Sequence, residues 1–204
     1  MTSFEFHFDF ASPNTYFSHK LIPGIEQRTG VACVYVPVLL GGVFKATGNK
    51  SPMEQFGEIK NKPEYLRIET ERFIAKHAMD KYARNPHFPI NTVQVMRGSI
   101  VAEDEGYLAG YADAVYSAMW EQGLNMGDAD VIKGVLDGAG FDAAHIMGRT
   151  QEQPVKDKLR VSTEASVERG NFGGPTFFVG DEMFFGKDRL RDVEEELVKQ
   201  IARG

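Results

Sequence analysis

The stretch F-D-F-A-S-P-N-T-Y-F-S at residues 8–18 decides how the fold begins. An apolar run over 4–10 stops here, and a segment of helical character follows. Serine is a favoured helix N-cap, and proline is favoured at the first helical position. Ser12 and Pro13 therefore mark a turn between a strand and a helix. Because a helix N-terminus also stabilises anions, Ser12 is either a plain cap or part of an anion site.

Strand and helix signals continue on both sides of this turn. The phenylalanines of residues 3–9 alternate along one face, which is strand periodicity. The helix is predicted over 14–28 and ends at Thr29-Gly30, and a second strand is predicted over 31–38. Strand, helix and strand in so short a span predict a parallel βαβ unit with a right-handed crossover.

The middle of the chain, residues 51–170, is predicted to be mostly helical. Apolar residues recur at helical spacing over 108–119, and we interpret these side chains as core. Asp128 and Asp142 are candidate helix N-caps.

The C-terminal part returns to strands. Apolar runs at 176–179 and 183–185 flank a Gly-Asp-Glu turn, which predicts a β-hairpin. Pro175 stands at the first residue of a strand, where proline is tolerated. Asp188 is predicted to open a terminal helix over 189–203.

These parts add up to an α/β fold. A βαβ half, a helical insertion and a ββα half predict a thioredoxin-like fold interrupted by a helical domain. The thioredoxin-like domain is predicted to be discontinuous, over 1–50 and 171–204, and the helical insertion domain takes 51–170.

Composition argues against several classes of partner. The chain has 204 residues and a net charge of -6, without a Lys/Arg cluster, so no nucleic-acid partner is expected. It has no run of about 18 apolar residues, so we expect no membrane partner. The first ten residues lack the basic and apolar regions of a signal peptide, and we expect a cytoplasmic location.

Cysteine and histidine usage narrows the chemistry. Cys33 is the only cysteine, so an intrachain disulfide is impossible, and its apolar strand suggests an inert core residue. The five histidines lack metal-ligand spacing, and no metal site is predicted. The GxSxG and Walker A motifs are absent, as is a GxGxxG after a strand.

Four stretches spread along the chain carry a family resemblance. They are F-D-F-A-S-P-N-T-Y (8–16), P-V-L-L-G-G-V-F-K-A-T-G-N (37–49), N-P-H-F-P-I-N-T (85–92) and F-G-G-P-T-F-F-V-G-D-E-M-F-F-G-K-D-R-L (172–190). In this order they resemble the 2-hydroxychromene-2-carboxylate isomerases and the kappa-class glutathione transferases, which share a fold with the disulfide oxidoreductase DsbA. Where DsbA-like oxidoreductases carry a CxxC, this chain has Ser12-Pro13-Asn14-Thr15, which rules out thiol–disulfide exchange.

The resemblance implies that glutathione is the cofactor and that Ser12 meets its thiol. It further implies that Pro175 is cis and that Gly174, beside it, pairs through its backbone with the cysteinyl unit. Asn49 matches a family asparagine that contacts glutathione. The γ-glutamyl end is assigned to the turn Phe185, Gly186, Lys187 and Asp188, in which the Asp188 carboxylate accepts from the α-ammonium.

A second substrate is expected beside glutathione. The candidate residues are Lys45, Arg84, Asn85 and Pro86, and Arg84 can hold a carboxylate in two parallel hydrogen bonds. Lys45, predicted to lie in the same loop as Asn49 after the second strand, faces the glycine carboxylate of glutathione or the carboxylate of the substrate, or is a solvated surface lysine.

The resemblance implies a glutathione-dependent isomerase. Its substrate would be an unsaturated aromatic 2-oxo acid or the cyclic hemiketal, as in aromatic compound degradation, and the protein would be a homodimer. Two alternatives stay open: a kappa-class-like glutathione S-transferase, and a non-catalytic peptide-binding module of DsbA-like fold.

Overall fold

A four-stranded mixed sheet is the frame of the protein, which a computed structural model describes over residues 3–203. Strand β1 (Phe4–Phe8) pairs in parallel with β2 (Cys33–Pro37). On its other side β1 pairs antiparallel with β3 (Thr176–Val179), which pairs antiparallel with β4 (Glu182–Phe185). The strand order is therefore β2-β1-β3-β4, and the predicted βαβ unit and C-terminal hairpin are both confirmed.

Helices fill the chain between and after the strands. In chain order they are α1 (Pro13–Thr29), α2 (Leu40–Thr47), α3 (Pro52–Phe56), α4 (Lys62–Lys76), α5 (Val93–Asp104), α6 (Leu108–Trp120), α7 (Ala129–Gly138), α8 (Ala143–Arg149), α9 (Gln153–Glu168) and α10 (Leu190–Arg203). The helical character predicted for the middle of the chain is confirmed. Across residues 3–203, every helix is too short or too polar to cross a bilayer.

Several helix ends follow the signals in the sequence. Gly30 ends α1 in the left-handed conformation, with φ of 70°. The carboxylates of Asp128 and Asp142 accept hydrogen bonds from backbone N–H groups in the first turns of α7 and α8. Both are therefore N-caps, as predicted.

Helix α2 corrects the sequence analysis, which placed Lys45 in a loop. Gly41 and Gly42 lower the helix propensity of this segment. However, a Cβ on Gly42 would lie only 3.1 Å from the methyl carbon of Thr163 in α9. Glycine thus allows α2 to approach α9 closely, and packing overrides propensity.

The terminal helix begins later than predicted. Residues Lys187–Arg189 form a 3₁₀ turn, and α10 starts at Leu190. Gly186 precedes the turn with φ of 103°, a conformation that favours glycine. Asp188 lies inside the 3₁₀ turn, so it does not open α10 as an N-cap.

One hydrophobic cluster joins the sheet to the helices. Phe6 and Phe8 of β1 are fully buried in it, together with side chains of α5 and α6 such as Met96 and Tyr116. The rings of Phe8 and Tyr116 are 6.1 Å apart. The end of β1, from which the next turn begins, is therefore fixed by close packing in the core. The division into two domains stays a prediction about independent folding units.

Candidate functional site

Ser12 lies at the N-terminus of α1, but its side chain does not cap the helix. Its backbone has the extended conformation of an N-cap, yet the hydroxyl makes no hydrogen bond to the first turn. The Oγ atom instead faces the carbonyl oxygen of Gly174 at 3.5 Å, and Ser12 is only 8% exposed. Among residues 3–203 this is the hydroxyl's only hydrogen-bonding contact, and it is longer than the usual O–H···O hydrogen bond of about 2.5–3.0 Å, which favours the anion-site interpretation.

Asp9 fixes the turn that carries Ser12, a role that the sequence analysis missed. Its buried carboxylate accepts hydrogen bonds from the backbone N–H of Ala11 at 2.9 Å and of Leu40 at 2.8 Å. The hydroxyl of Thr92 at the start of α5 donates to it at 2.7 Å. Burial raises the pKa of Asp9, and these three donors oppose the rise. An acidic residue at the end of an apolar strand is the signal that could have identified it.

The loop before β3 faces Ser12. The Gly174–Pro175 peptide bond is cis, as the resemblance implied. Among residues 3–203, no acceptor lies within hydrogen-bond reach of the Gly174 N–H, while its carbonyl oxygen faces the Ser12 hydroxyl. An extended peptide pairs with a backbone through one N–H and one C=O, and Gly174 offers a free N–H and a carbonyl whose one hydrogen-bonding contact among residues 3–203 is the long one with Ser12.

A buried polar network holds this loop in place. The Asn171 side-chain oxygen accepts from the Gly173 N–H at 2.8 Å and from the Thr176 hydroxyl at 2.9 Å. The Asn171 amide donates to Ser166 Oγ at 2.7 Å, and Ser166 pairs with His7 Nδ1 at 2.8 Å. Burial lowers the pKa of His7, which favours the neutral imidazole. The network therefore organises the loop before any ligand binds.

The turn at 185–188 is attached to the same loop. The backbone N–H of Gly186 donates to the carbonyl oxygen of Pro175 at 2.9 Å. Asp188 is exposed, whereas Lys187 is buried and its Nζ atom binds the Glu69 carboxylate of α4 at 2.9 Å. The structure thus brings Asp188 near Pro175 and turns the Lys187 side chain inward.

Asn49 connects the loop after α2 to the loop before β3. Its amide donates to the carbonyl oxygen of Phe172 at 2.7 Å, and its side-chain oxygen accepts from Gln55 Nε2 at 2.8 Å. The partly exposed rings of Phe172 and Phe185 lie 4.5 Å apart beside this contact. Asn49 therefore borders the Gly174 loop, and an aromatic pair borders it too.

The residues predicted to meet a second substrate have different surroundings. Lys45, Arg84 and Pro86 are exposed. Asn85 is buried, and its amide donates to the carbonyl oxygens of Met119 and Leu124, each at 2.8 Å. Both amide hydrogens are thus used within the protein, so the structure gives Asn85 a structural role in place of the predicted substrate contact.

Trp120 links this segment to the turn at Ser12. Its indole Nε1 donates to the carbonyl oxygen of Phe10 at 2.9 Å, and its backbone carbonyl accepts from the Ala83 N–H at 2.7 Å. Arg84 follows directly in the chain. Trp120 could not be identified from the sequence, because an aromatic residue in a helix is by default a core residue.

The arrangement suits the stabilisation of an anion. A hydroxyl donor and the positive end of a 17-residue helix meet at Ser12. No cysteine lies in the turn, so the turn holds no redox-active dithiol. Within residues 3–203, His, Cys, Asp and Glu side chains form no group of three that could hold a metal ion.

Comparisons with known proteins cover nearly the whole chain. Residues 4–198 match the DSBA-like thioredoxin domain. A 2-hydroxychromene-2-carboxylate isomerase of Pseudomonas putida is 27% identical over 195 residues, which cover 95% of this chain and 93% of that protein. Glutathione S-transferase kappa 1 of Rattus norvegicus is 24% identical over 199 residues, covering 91% and 86%. A solved structure of a selenomethionine 2-hydroxychromene-2-carboxylate isomerase matches with a TM-score of 0.85 at 26% identity, covering 98% and 96%.

Proposed function

The chain belongs to the DSBA-like thioredoxin domain family, and from that premise we propose that it is a glutathione-dependent isomerase of the 2-hydroxychromene-2-carboxylate isomerase type. One observation carries the proposal. The Ser12 hydroxyl makes no capping bond to α1 and faces the Gly174 carbonyl. It stands at the position where a dithiol member of the fold would carry a cysteine sulfur. The chain therefore suits a sulfur that arrives with a ligand.

The residues around Ser12 fit the groups of glutathione. The free N–H and the carbonyl of Gly174 suit the backbone of the cysteinyl unit. The exposed carboxylate of Asp188 suits the α-ammonium of the γ-glutamyl unit. Asn49 retains one amide hydrogen for the ligand after its bond to Phe172. A relative named for glutathione, the rat kappa-class transferase, supports this choice of cofactor.

Glutathione, when bound, supplies a thiolate able to add reversibly to a conjugated double bond. Ser12 donates a hydrogen bond to the sulfur, and such a bond to a charged group contributes about 1.5–3 kcal/mol. The helix end adds about 0.3–1 kcal/mol. One pKa unit corresponds to about 1.36 kcal/mol, so the two effects lower a thiol pKa by about one to three units. From an ordinary value of about 8.5, this makes thiolate abundant at neutral pH.

The proposed substrate is an unsaturated aromatic 2-oxo acid or its cyclic hemiketal. The names of the bacterial relatives support this class. The exposed guanidinium of Arg84 suits the carboxylate, and Lys45 is a second exposed cation. The homodimer that the resemblance implies stays a prediction.

Calorimetric titration with glutathione tests the proposal. We expect saturable binding, and no binding heat at millimolar glutathione would contradict the cofactor assignment. Turnover of an unsaturated aromatic 2-oxo acid with limiting glutathione then separates the reaction types. An isomerase turns over many times with the free thiol concentration unchanged, whereas a transferase consumes one thiol for each product. A peptide-binding module would show neither glutathione heat nor turnover.

A further inference from the structure

Lys187 is a buried lysine in the middle of the turn proposed to hold glutathione. The residue is 5% exposed. Its Nζ atom donates to both carboxylate oxygens of Glu69, at 2.9 and 3.1 Å, and lies 4.6 Å from the centroid of the Phe73 ring. Both partners belong to α4. The turn therefore inserts an ammonium group against a helix of the middle segment.

The same ammonium also reaches Asp188. Its Nζ atom lies 3.4 Å from each carboxylate oxygen of Asp188, whose side chain is 62% exposed. Two carboxylates thus share one ammonium, so the cluster carries one excess negative charge. Because Asp188 is its more exposed member, the excess charge is available to a cationic group of a ligand.

Stability alone is a weak reason for this pair, in which the Lys187 side chain is 5% exposed and the Glu69 side chain 31% exposed. Ion pairs that remain in contact with solvent contribute little to stability, and even fully buried pairs can often be replaced by well-packed apolar residues without loss. The position of Lys187 offers another reason. Gly186 on one side of it is bonded to the carbonyl oxygen of Pro175, and Asp188 follows on the other side. With Lys187 fixed to Glu69, the turn is held at two points, and the Asp188 carboxylate has a defined place.

We propose that Lys187, together with Glu69, is a positioning residue that holds the Asp188 carboxylate where it meets the α-ammonium of the γ-glutamyl group. This inference rests on the proposed function. Ordering a recognition group before binding lowers the entropic cost of association. Helix α4 therefore contributes to glutathione affinity through Lys187, and the contribution depends on the ligand's α-ammonium.

The test compares two ligands by calorimetric titration. One is glutathione, and the other is glutaryl-cysteinyl-glycine, which lacks only the α-ammonium. The variants are Lys187→Met, which keeps an apolar side chain over Phe73, and Glu69→Gln. Lys199→Met is the matched control, because it breaks an exposed pair with Glu196 on α10.

We expect Lys187→Met and Glu69→Gln each to weaken glutathione binding about tenfold, which corresponds to about 1.4 kcal/mol. Lys187→Met makes the cluster more negative, which by charge alone would favour the α-ammonium, so a loss of affinity in that variant reports on the position of Asp188. Affinity for glutaryl-cysteinyl-glycine should be unchanged in both variants, and the control should alter neither ligand. Equal weakening of both ligands would mean that Lys187 is only structural and would overturn the inference. Unchanged glutathione affinity in both variants would overturn it as well. If the wild-type protein did not bind glutathione, the proposed function itself would fall, which is a different result.

A conservative variant keeps the test decisive if Lys187→Met does not fold. Arginine can form a bidentate pair with Glu69, so Lys187→Arg should retain glutathione affinity. Glu69→Gln keeps the shape of the side chain and should still bind glutathione more weakly. Equal glutathione affinity in Lys187→Arg and Glu69→Gln would contradict the positioning role.

Discussion

Replacing Ser12 by alanine removes a single oxygen atom from the centre of the proposed site. The Ser12 side chain makes no capping bond, and Pro13 still starts α1. The loss of stability should therefore be below the value of about 1 kcal/mol that is typical for removing an N-cap side chain. Within the protein, only the 3.5 Å contact with the Gly174 carbonyl is lost. Any larger effect should appear in the bound ligand.

The expected effect is a change in the acidity of bound glutathione. A hydrogen bond to a charged group contributes about 1.5–3 kcal/mol. At about 1.36 kcal/mol for each pKa unit, its loss should raise the thiol pKa by about one to two units. Turnover at pH 7 should fall by about tenfold to a hundredfold. Activity should recover partly at higher pH, because the thiolate then forms without the hydroxyl.

Ultraviolet absorbance of the thiolate measures this directly in the glutathione complex. The titration curve of Ser12→Ala should be displaced to higher pH than that of the wild type. Ser18→Ala is the matched control, because Ser18 is buried in the same helix and its hydroxyl donates to the Asn14 carbonyl at 2.9 Å. That variant should titrate like the wild type. Identical curves for Ser12→Ala and the wild type would refute the reasoning and leave Ser12 as a residue that only starts a helix.

Other substitutions probe the surroundings of Ser12. Cys33 is half-buried and packs against the core, where the sequence predicted a core residue, and burial raises the pKa of its thiol. Cys33→Ala should therefore leave turnover unchanged, and a large loss in a folded variant would contradict its assignment as inert. Arg84→Ala should raise KM for an anionic substrate and spare the Kd of glutathione; a fall in glutathione affinity would show that the two subsites are divided wrongly. Burial also raises the pKa of Asp9 in the folded protein. The difference in free energy of unfolding between the wild type and Asp9→Asn should therefore favour the wild type most below the unfolded pKa of about 3.9, and should decline as pH rises through the folded pKa. Urea unfolding at several pH values measures that difference, and a constant difference would speak against the raised pKa.

The frame of the fold could be predicted because its signals are local. Alternating phenylalanines, a proline at the first position of α1 and turn residues between β3 and β4 each act within a few residues of chain. Helix α2 could not be predicted in the same way. Its glycines oppose a helix locally, and its stability comes from packing against α9, far along the chain.

In the candidate site, too, residues in local motifs could be predicted and long-range contacts could not. Short motifs locate Ser12, Pro175 and Asp188 in the sequence. They do not predict the 3₁₀ turn in which Asp188 lies. The bond from Thr92 to Asp9 joins residues 83 apart, and the pair of Lys187 with Glu69 joins residues 118 apart. A single sequence shows that such polar residues exist, but it does not show which of them meet. The supporting contacts of the site therefore became visible only in the structure.

By resemblance, Ser12 stands where DsbA-like oxidoreductases carry a cysteine, and this difference separates two tasks that a dithiol turn performs together. A protein thiol is held in place by its covalent bond, so the helix end needs only to stabilise its charge. A sulfur that arrives with a ligand must also be held, and the binding energy has to come from groups away from the sulfur. In the proposed site Ser12 sets the acidity of the thiol, while Gly174 and Asp188 set the affinity for the rest of the tripeptide. In the same proposed site, the contact of the buried Lys187 ammonium with Glu69 serves the second task, because it holds the turn that carries Asp188.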